Sequence, residues 1–158
     1  MAADGNLLQF ASARLCDDQQ VVAAAVSSYD RALEDASERL RADRAVVLAA
    51  VKHNGKALQF AGLGVRSDPE VVLAAVTECG GVLQHAAKSA RADRRLVLAA
   101  VRRCGHDLYH AAPALQADSE VVLAAVSRAG GALQHASKEL RADRAIVLAA
   151  IEQSSDAW

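Results

Sequence analysis

The chain has 158 residues, three cysteines and a formal net charge of −1. This length allows one domain whose core holds without disulfides or metal. Balanced charge argues against whole-surface attraction to nucleic acid or anionic lipid, because both favour an excess of lysine and arginine. Cys16, Cys79 and Cys104 form no CxxC pair, which predicts reduced thiols in a reducing, cytoplasmic compartment.

The chain begins with MAADGNLLQFASARL, which lacks the basic and long apolar segments of a secretory signal. No stretch reaches the roughly 20 uncharged apolar residues that a membrane helix requires. We therefore expect a soluble protein without membrane insertion.

A 25-residue period runs through the chain, and each unit carries an aspartate followed by a valine and an Ala-Ala pair. The aspartates are Asp18, Asp43, Asp68, Asp93, Asp118 and Asp143. The predicted units span 15–39, 40–64, 65–89, 90–114 and 115–139, with half units at 5–14 and 140–158. All of them belong to one predicted domain, 1–158.

The first half of each unit predicts a helix of about eleven residues, because its aspartate can accept hydrogen bonds from the first-turn amides. Pro69 and Glu70 suit the start of such a helix. Glycines follow at the same place in successive units, and we expect them to form left-handed caps. These glycines are Gly55, Gly80, Gly105 and Gly130.

The second half of each unit, such as ALQHAS, predicts a helix of barely two turns. A helix this short is marginal alone, so its stability has to come from packing against neighbouring units. The fold class is therefore all-α: an α-solenoid of about six stacked helix-turn-helix repeats.

The segment LRADRAVVLAAVKHNGKALQFA resembles the repeat family known as domain of unknown function 4116, and the resemblance extends from Asn6 to Ala157. It implies tandem helical repeats and no particular activity. The chain is also similar in unit length, more loosely, to the leucine-rich repeat variant family.

The terminal units depart from the pattern. The first unit carries the acids Asp30, Glu34, Asp35 and Glu38, which predicts a polar end repeat. The last unit keeps the apolar VLAAI segment and ends with Trp158, so we expect either Trp158 or another molecule to cover it. End-to-end self-association is one such possibility.

A stripe of polar and aromatic side chains is predicted on the second helix, with stacked positions about 10 Å apart. The candidate partner-binding residues are Gln84, His85, Tyr109, His110, Gln134 and His135. The alternative interpretation is that these rings are half-buried spacers, because Phe60 takes the same place in another unit.

A metal site is one further possibility. His106 and His110 have the spacing of metal ligands on an α-helix, and Cys104 precedes them, but the remaining ligands would have to come from a neighbouring unit. We therefore predict no metal and no cofactor.

The fourth unit is strongly basic and could follow a phosphate backbone. Its candidate residues are Arg91, Arg94, Arg95, Arg102 and Arg103. The scarcity of aromatic residues argues against nucleic acid. Pairing of the recurrent arginines Arg41, Arg66, Arg91 and Arg141 with neighbouring aspartates is the alternative explanation.

The sequence contains no constellation of nucleophile, base and orienting acid, so we expect a protein that is not an enzyme. The leading hypothesis is a protein-interaction or scaffold module, which could be a peripheral subunit of a larger assembly. Nucleic-acid binding through the fourth unit is the alternative hypothesis.

Overall fold

The computed structural model describes residues 5–29 and 31–155, and this part of the chain consists of helices joined by short turns, without a β-strand. Long α-helices recur every 25 residues along it. Their bounds are Gln19–Val26, Arg44–His53, Pro69–Glu78, Arg94–Arg103, Ser119–Arg128 and Arg144–Ser155. The expected all-α repeat solenoid is confirmed.

Each long helix begins directly after the recurrent aspartate. In the fourth unit, the Asp93 carboxylate accepts hydrogen bonds from the amides of Arg95 at 2.8 Å and Leu96 at 3.2 Å. These bonds satisfy two amides that otherwise lack an intrahelical partner. The same helix then buries Leu96 and Val97 completely against its neighbours.

The second half of each unit contains two short elements where the sequence predicted one helix. The first is a 3-10 helix at Gly5–Phe10, Gly55–Phe60, Leu83–His85, Gly105–His110 and Gly130–His135, with an α-helical turn at Ala32–Asp35 in the first unit. The second is a single turn at Ala13–Cys16, Glu38–Arg41, Val65–Ser67, Lys88–Arg91, Pro113–Gln116 and Leu140–Ala142.

The break between the two short elements is stabilised by a hydrogen bond to the turn that precedes the long helix. Ala111 is extended, with φ −67° and ψ 153°, and interrupts the helix after His110. The next amide, of Ala112, donates to the carbonyl of Arg91, in the turn Lys88–Arg91, at 2.8 Å. A long-range backbone bond therefore replaces one that would have continued the helix.

The predicted left-handed glycine caps are wrong. Among the described residues, Gly81 is the only glycine with a positive φ, at 78°. The recurrent glycines instead permit close packing, because a Cβ on Gly55 or Gly105 would collide with a carbonyl oxygen of the next long helix. Their role is to let adjacent units approach each other.

One apolar core runs through the units. It is less complete at the last helix, where Ile151 is 55% exposed while Val126, one unit earlier, is 0% exposed. Asp30 and Trp158, which entered the predictions for the terminal units, lie outside the described residues. Within the described part of the chain, no helix has the length and apolar character needed to cross a membrane.

Candidate functional site

The three histidines of the predicted stripe occupy equivalent places in the structure. His85, His110 and His135 each end a 3-10 helix and are half-buried. The residues before them, Gln84, Tyr109 and Gln134, are exposed. The sequence pattern thus corresponds to one recurrent position at the end of the 3-10 element.

Ring contacts join this position across units. The Tyr109 ring lies 4.9 Å from that of His110 and 5.1 Å from that of His135 in the next unit, measured between centroids. His106 meets His135 edge to face at 6.2 Å. We call His85, His106, Tyr109, His110 and His135 the histidine surface.

The half-buried imidazoles are held in the neutral form. Burial lowers the pKa of His110, and the nearby Arg91 and His135 lower it further. The pKa of His85 falls through burial, the charge of Arg66 and the proximity of His110. A neutral imidazole offers one donor and one acceptor, so these rings can contact both kinds of polar group.

Two of the recurrent arginines, Arg66 and Arg91, lie beside histidines of the histidine surface. Arg41, Arg66 and Arg91 are half-buried, and the Nε of each is buried without a hydrogen-bond partner among the described residues. Arg66 donates from Nη1 to the carbonyl oxygen of His85 at 3.5 Å. The last member of the series, Arg141, is exposed.

The Arg–Asp network between units uses other arginines than the recurrent ones that the sequence suggested. Arg94 binds Asp118 at 2.9 Å and also pairs with Glu120, both in the next unit. Arg44 makes the equivalent pairs two units earlier. The first residue of the long helix is close to the next cap, which explains why this arginine forms the bridge.

The arginines predicted as one basic patch are divided in the structure. Arg94 and Arg95 lie at the start of their helix and Arg102 and Arg103 at its end, about 12 Å away along the axis. Arg94 is committed to its ion pairs, and Arg103 donates to the Glu78 carbonyl at 3.1 Å. Arg91 lies apart from both pairs, next to His110.

The two histidines considered as metal ligands point in different directions, because they lie on a 3-10 helix and not on an α-helix. His106 and His110 lie on a 3-10 helix, where residues four apart point about 120° away from each other. His106 contacts His135 instead. Among residues 5–29 and 31–155, no group of three or more His, Cys, Asp or Glu side chains is placed to hold a metal ion.

Asp107 is a buried acid that the sequence analysis missed. It is 2% exposed and accepts a hydrogen bond from the Gly81 amide of the preceding unit at 3.0 Å. Small or apolar residues, Ala57, Val82 and Ala132, take this place in neighbouring units, so comparison of the units could have singled it out.

Burial raises the pKa of Asp107 to about 6, from an ordinary 3.8, although amide hydrogen bonds and His106 oppose the change. Because the folded-state pKa is the higher one, folding favours the protonated acid. Its contribution to stability is therefore complete below about pH 4 and is lost as the pH rises through about 6. The site contains a buried carboxyl that titrates near neutrality.

The fold and surface define an α-solenoid of 25-residue units with one half-buried histidine position per unit in its central part. The chain belongs to the family Domain of unknown function (DUF4116), which matches residues 2–41, 23–66, 43–89, 68–116, 93–141 and 118–158. No curated protein and no solved structure matches the chain.

Proposed function

We propose that this protein is a non-enzymatic binding module that presents the histidine surface to another protein, as a scaffold or as a peripheral subunit of an assembly. The observation that carries the proposal is the ring contact of Tyr109 with His135 across a unit boundary, which makes one surface from separate repeats. Tyr109 is 63% exposed, and exposed tyrosines are enriched at protein interfaces.

The test is a comparison of two variants in tagged purification with quantitative mass spectrometry. The first replaces His85, His110 and His135 with phenylalanine, the residue that Phe60 shows to fit this position. The second, matched variant replaces Lys52, His53 and Thr77, which are exposed on long helices. Circular dichroism checks that both retain wild-type helicity.

A stoichiometric partner that is lost from the phenylalanine variant and kept by the control is the expected result, because the neutral imidazoles supply the polar contacts. An identical set of partners on both variants would refute the proposal that the histidine surface binds the partner. Co-purified nucleic acid whose binding falls steeply with salt would favour the alternative, in which Arg95 and Arg102 contact phosphates.

A further inference from the structure

Two adjacent units carry the same pair of side chains, an arginine beside the histidine of the following 3-10 helix. The pairs are Arg66 with His85 and Arg91 with His110. In each, the arginine carbonyl accepts an amide from the loop after the histidine, at 3.0 Å for Arg66 and 2.8 Å for Arg91. The backbone therefore fixes both pairs in equivalent geometry.

The units on either side do not contain this pair. Arg41 lies beside Phe60, and both line a cleft to which Arg66 and Glu38 also contribute. On the other side Gln116 accepts the amide of Ser137, after His135, so glutamine replaces the arginine. Within the described residues, the arginine–histidine pair thus occurs in two successive units.

The cleft at the second pair is chemically suited to an anion. It has a volume of about 270 Å³ and is lined by Lys88, Arg91 and His110, with Ala111, Ala112 and Pro113 as its apolar wall. No acid lines it. Asp107, the acid of the same 3-10 helix, is turned into the core and bound to the Gly81 amide.

The arginines are not neutralised by an acid of the chain. Neither the Arg66 nor the Arg91 side chain forms an ion pair among the described residues, and the Nε of each is buried without a partner, which leaves the Nη nitrogens to meet an anion. An arginine fork recognises a carboxylate through two parallel hydrogen bonds, and the partly buried position strengthens them. A neutral imidazole can add a third donor.

We infer that the two arginine–histidine pairs bind two carboxylate side chains, spaced three residues apart, on an extended acidic segment of the partner protein. The inference rests on the proposed function and names the chemistry of the partner. Stacked units are about 10 Å apart, while a chain in the extended polyproline II conformation advances about 3.1 Å per residue and returns to the same face every three residues. Two side chains three residues apart therefore span one unit on one face of the chain, whereas side chains one or five residues apart do not.

The experiment titrates isotope-labelled protein with Gly/Ser peptides that contain two glutamates, and follows the ring signals of His85 and His110 by NMR. The peptides place the glutamates one, three or five positions apart. We expect the three-residue spacing to bind at least about tenfold more tightly than either other spacing, because it alone engages both pairs. A peptide with glutamine in place of glutamate is the charge control.

Variants assign the binding to the two pairs. Arg66→Gln and Arg91→Gln should each weaken binding of the peptide with three-residue spacing about tenfold. The fold should persist because Gln116 occupies this position naturally. Arg141→Gln is the matched control, since Arg141 holds the same place in its unit but is exposed. It should bind like wild type.

Equal affinity for all spacings, or binding that survives both glutamine substitutions, would overturn the inference. Tighter binding of a single-stranded oligonucleotide than of the acidic peptide would also overturn it. The inference can also fail while the proposed function holds: a partner lost from the histidine-to-phenylalanine variant but kept by Arg66→Gln and Arg91→Gln would support the binding module and reject the carboxylate chemistry.

Discussion

The recurrent glycines should limit how closely adjacent units pack, and Gly55→Ala tests this directly. A Cβ at Gly55 would overlap the carbonyl oxygen of Ala75 and lie 3.1 Å from both its carbonyl carbon and the Cβ of Cys79. The oxygen belongs to the Pro69–Glu78 helix and cannot rotate away by itself. The two units must therefore move apart.

The magnitude follows from two opposing effects. Overpacking of a close contact costs about 3 kcal/mol when rigid backbone has to shift. Alanine offsets up to about 1 kcal/mol of this cost, because it has less conformational freedom than glycine in the unfolded chain. The net loss is about 2 kcal/mol, which corresponds to a melting temperature lower by about 4–8 °C for a chain of this size.

The assay is thermal unfolding followed by circular dichroism at a helical wavelength, with Gly64→Ala as the matched control. Gly64 has helical dihedrals, φ −61° and ψ −44°, and no atom lies within 4 Å of its added Cβ. The control should melt at the wild-type temperature or slightly above it. If Gly55→Ala melts at or above wild type, the close approach does not require glycine and the reasoning is refuted.

Three further substitutions test the buried acid, the ion pairs and the helix caps. Asp107→Asn should be more stable than wild type at about pH 7 by up to about 3 kcal/mol, and the two should converge near pH 4 in urea unfolding, because the buried acid is then neutral. Arg94→Gln should lower stability only slightly and lose its effect at high salt, since Arg94 is 47% exposed in its pair with Asp118. Asp93→Ala should cost about 1 kcal/mol, whereas Asp93→Asn, which can still cap the helix, should cost far less by the same assay.

The long helices could be predicted from the sequence because their signals are local. The cap at Asp93 and the run of apolar residues after it act within one helix, and the structure shows both. The break after His110 could not be predicted in this way. It depends on the amide of Ala112 reaching the carbonyl of Arg91, which lies before the intervening long helix, and this contact exists only once the helices have packed.

The glycine error has the same origin. A glycine after a helix predicts a left-handed cap, and Gly105 has the right place in the sequence for one. Its conformation is instead decided by Ala125, twenty residues later, whose carbonyl oxygen occupies the space of a side chain. A pattern within one unit does not contain this information, because the constraint lies between units.

The positions of the candidate site could be predicted from the sequence, but the side chains that surround each histidine could not. The 25-residue period places His85 and His110 in equivalent environments, as the structure shows. Their arginine neighbours lie nineteen residues earlier, before the intervening long helix, so the sequence associated Arg91 with the separate basic residues of that helix. Asp107 was overlooked for a related reason, since its hydrogen bond is to the preceding unit.

Spacing between units connects the fold to the proposed recognition. Gly80 lies at the junction of the two units that carry the arginine–histidine pairs, and a Cβ there would be 2.8 Å from the Cβ of Cys104. Glycine at this junction keeps His85 and His110 one close-packed unit apart, which is the distance that three residues of a polyproline II chain span. The same small residue that allows the units to stack therefore sets the spacing at which two carboxylates of a partner would be recognised.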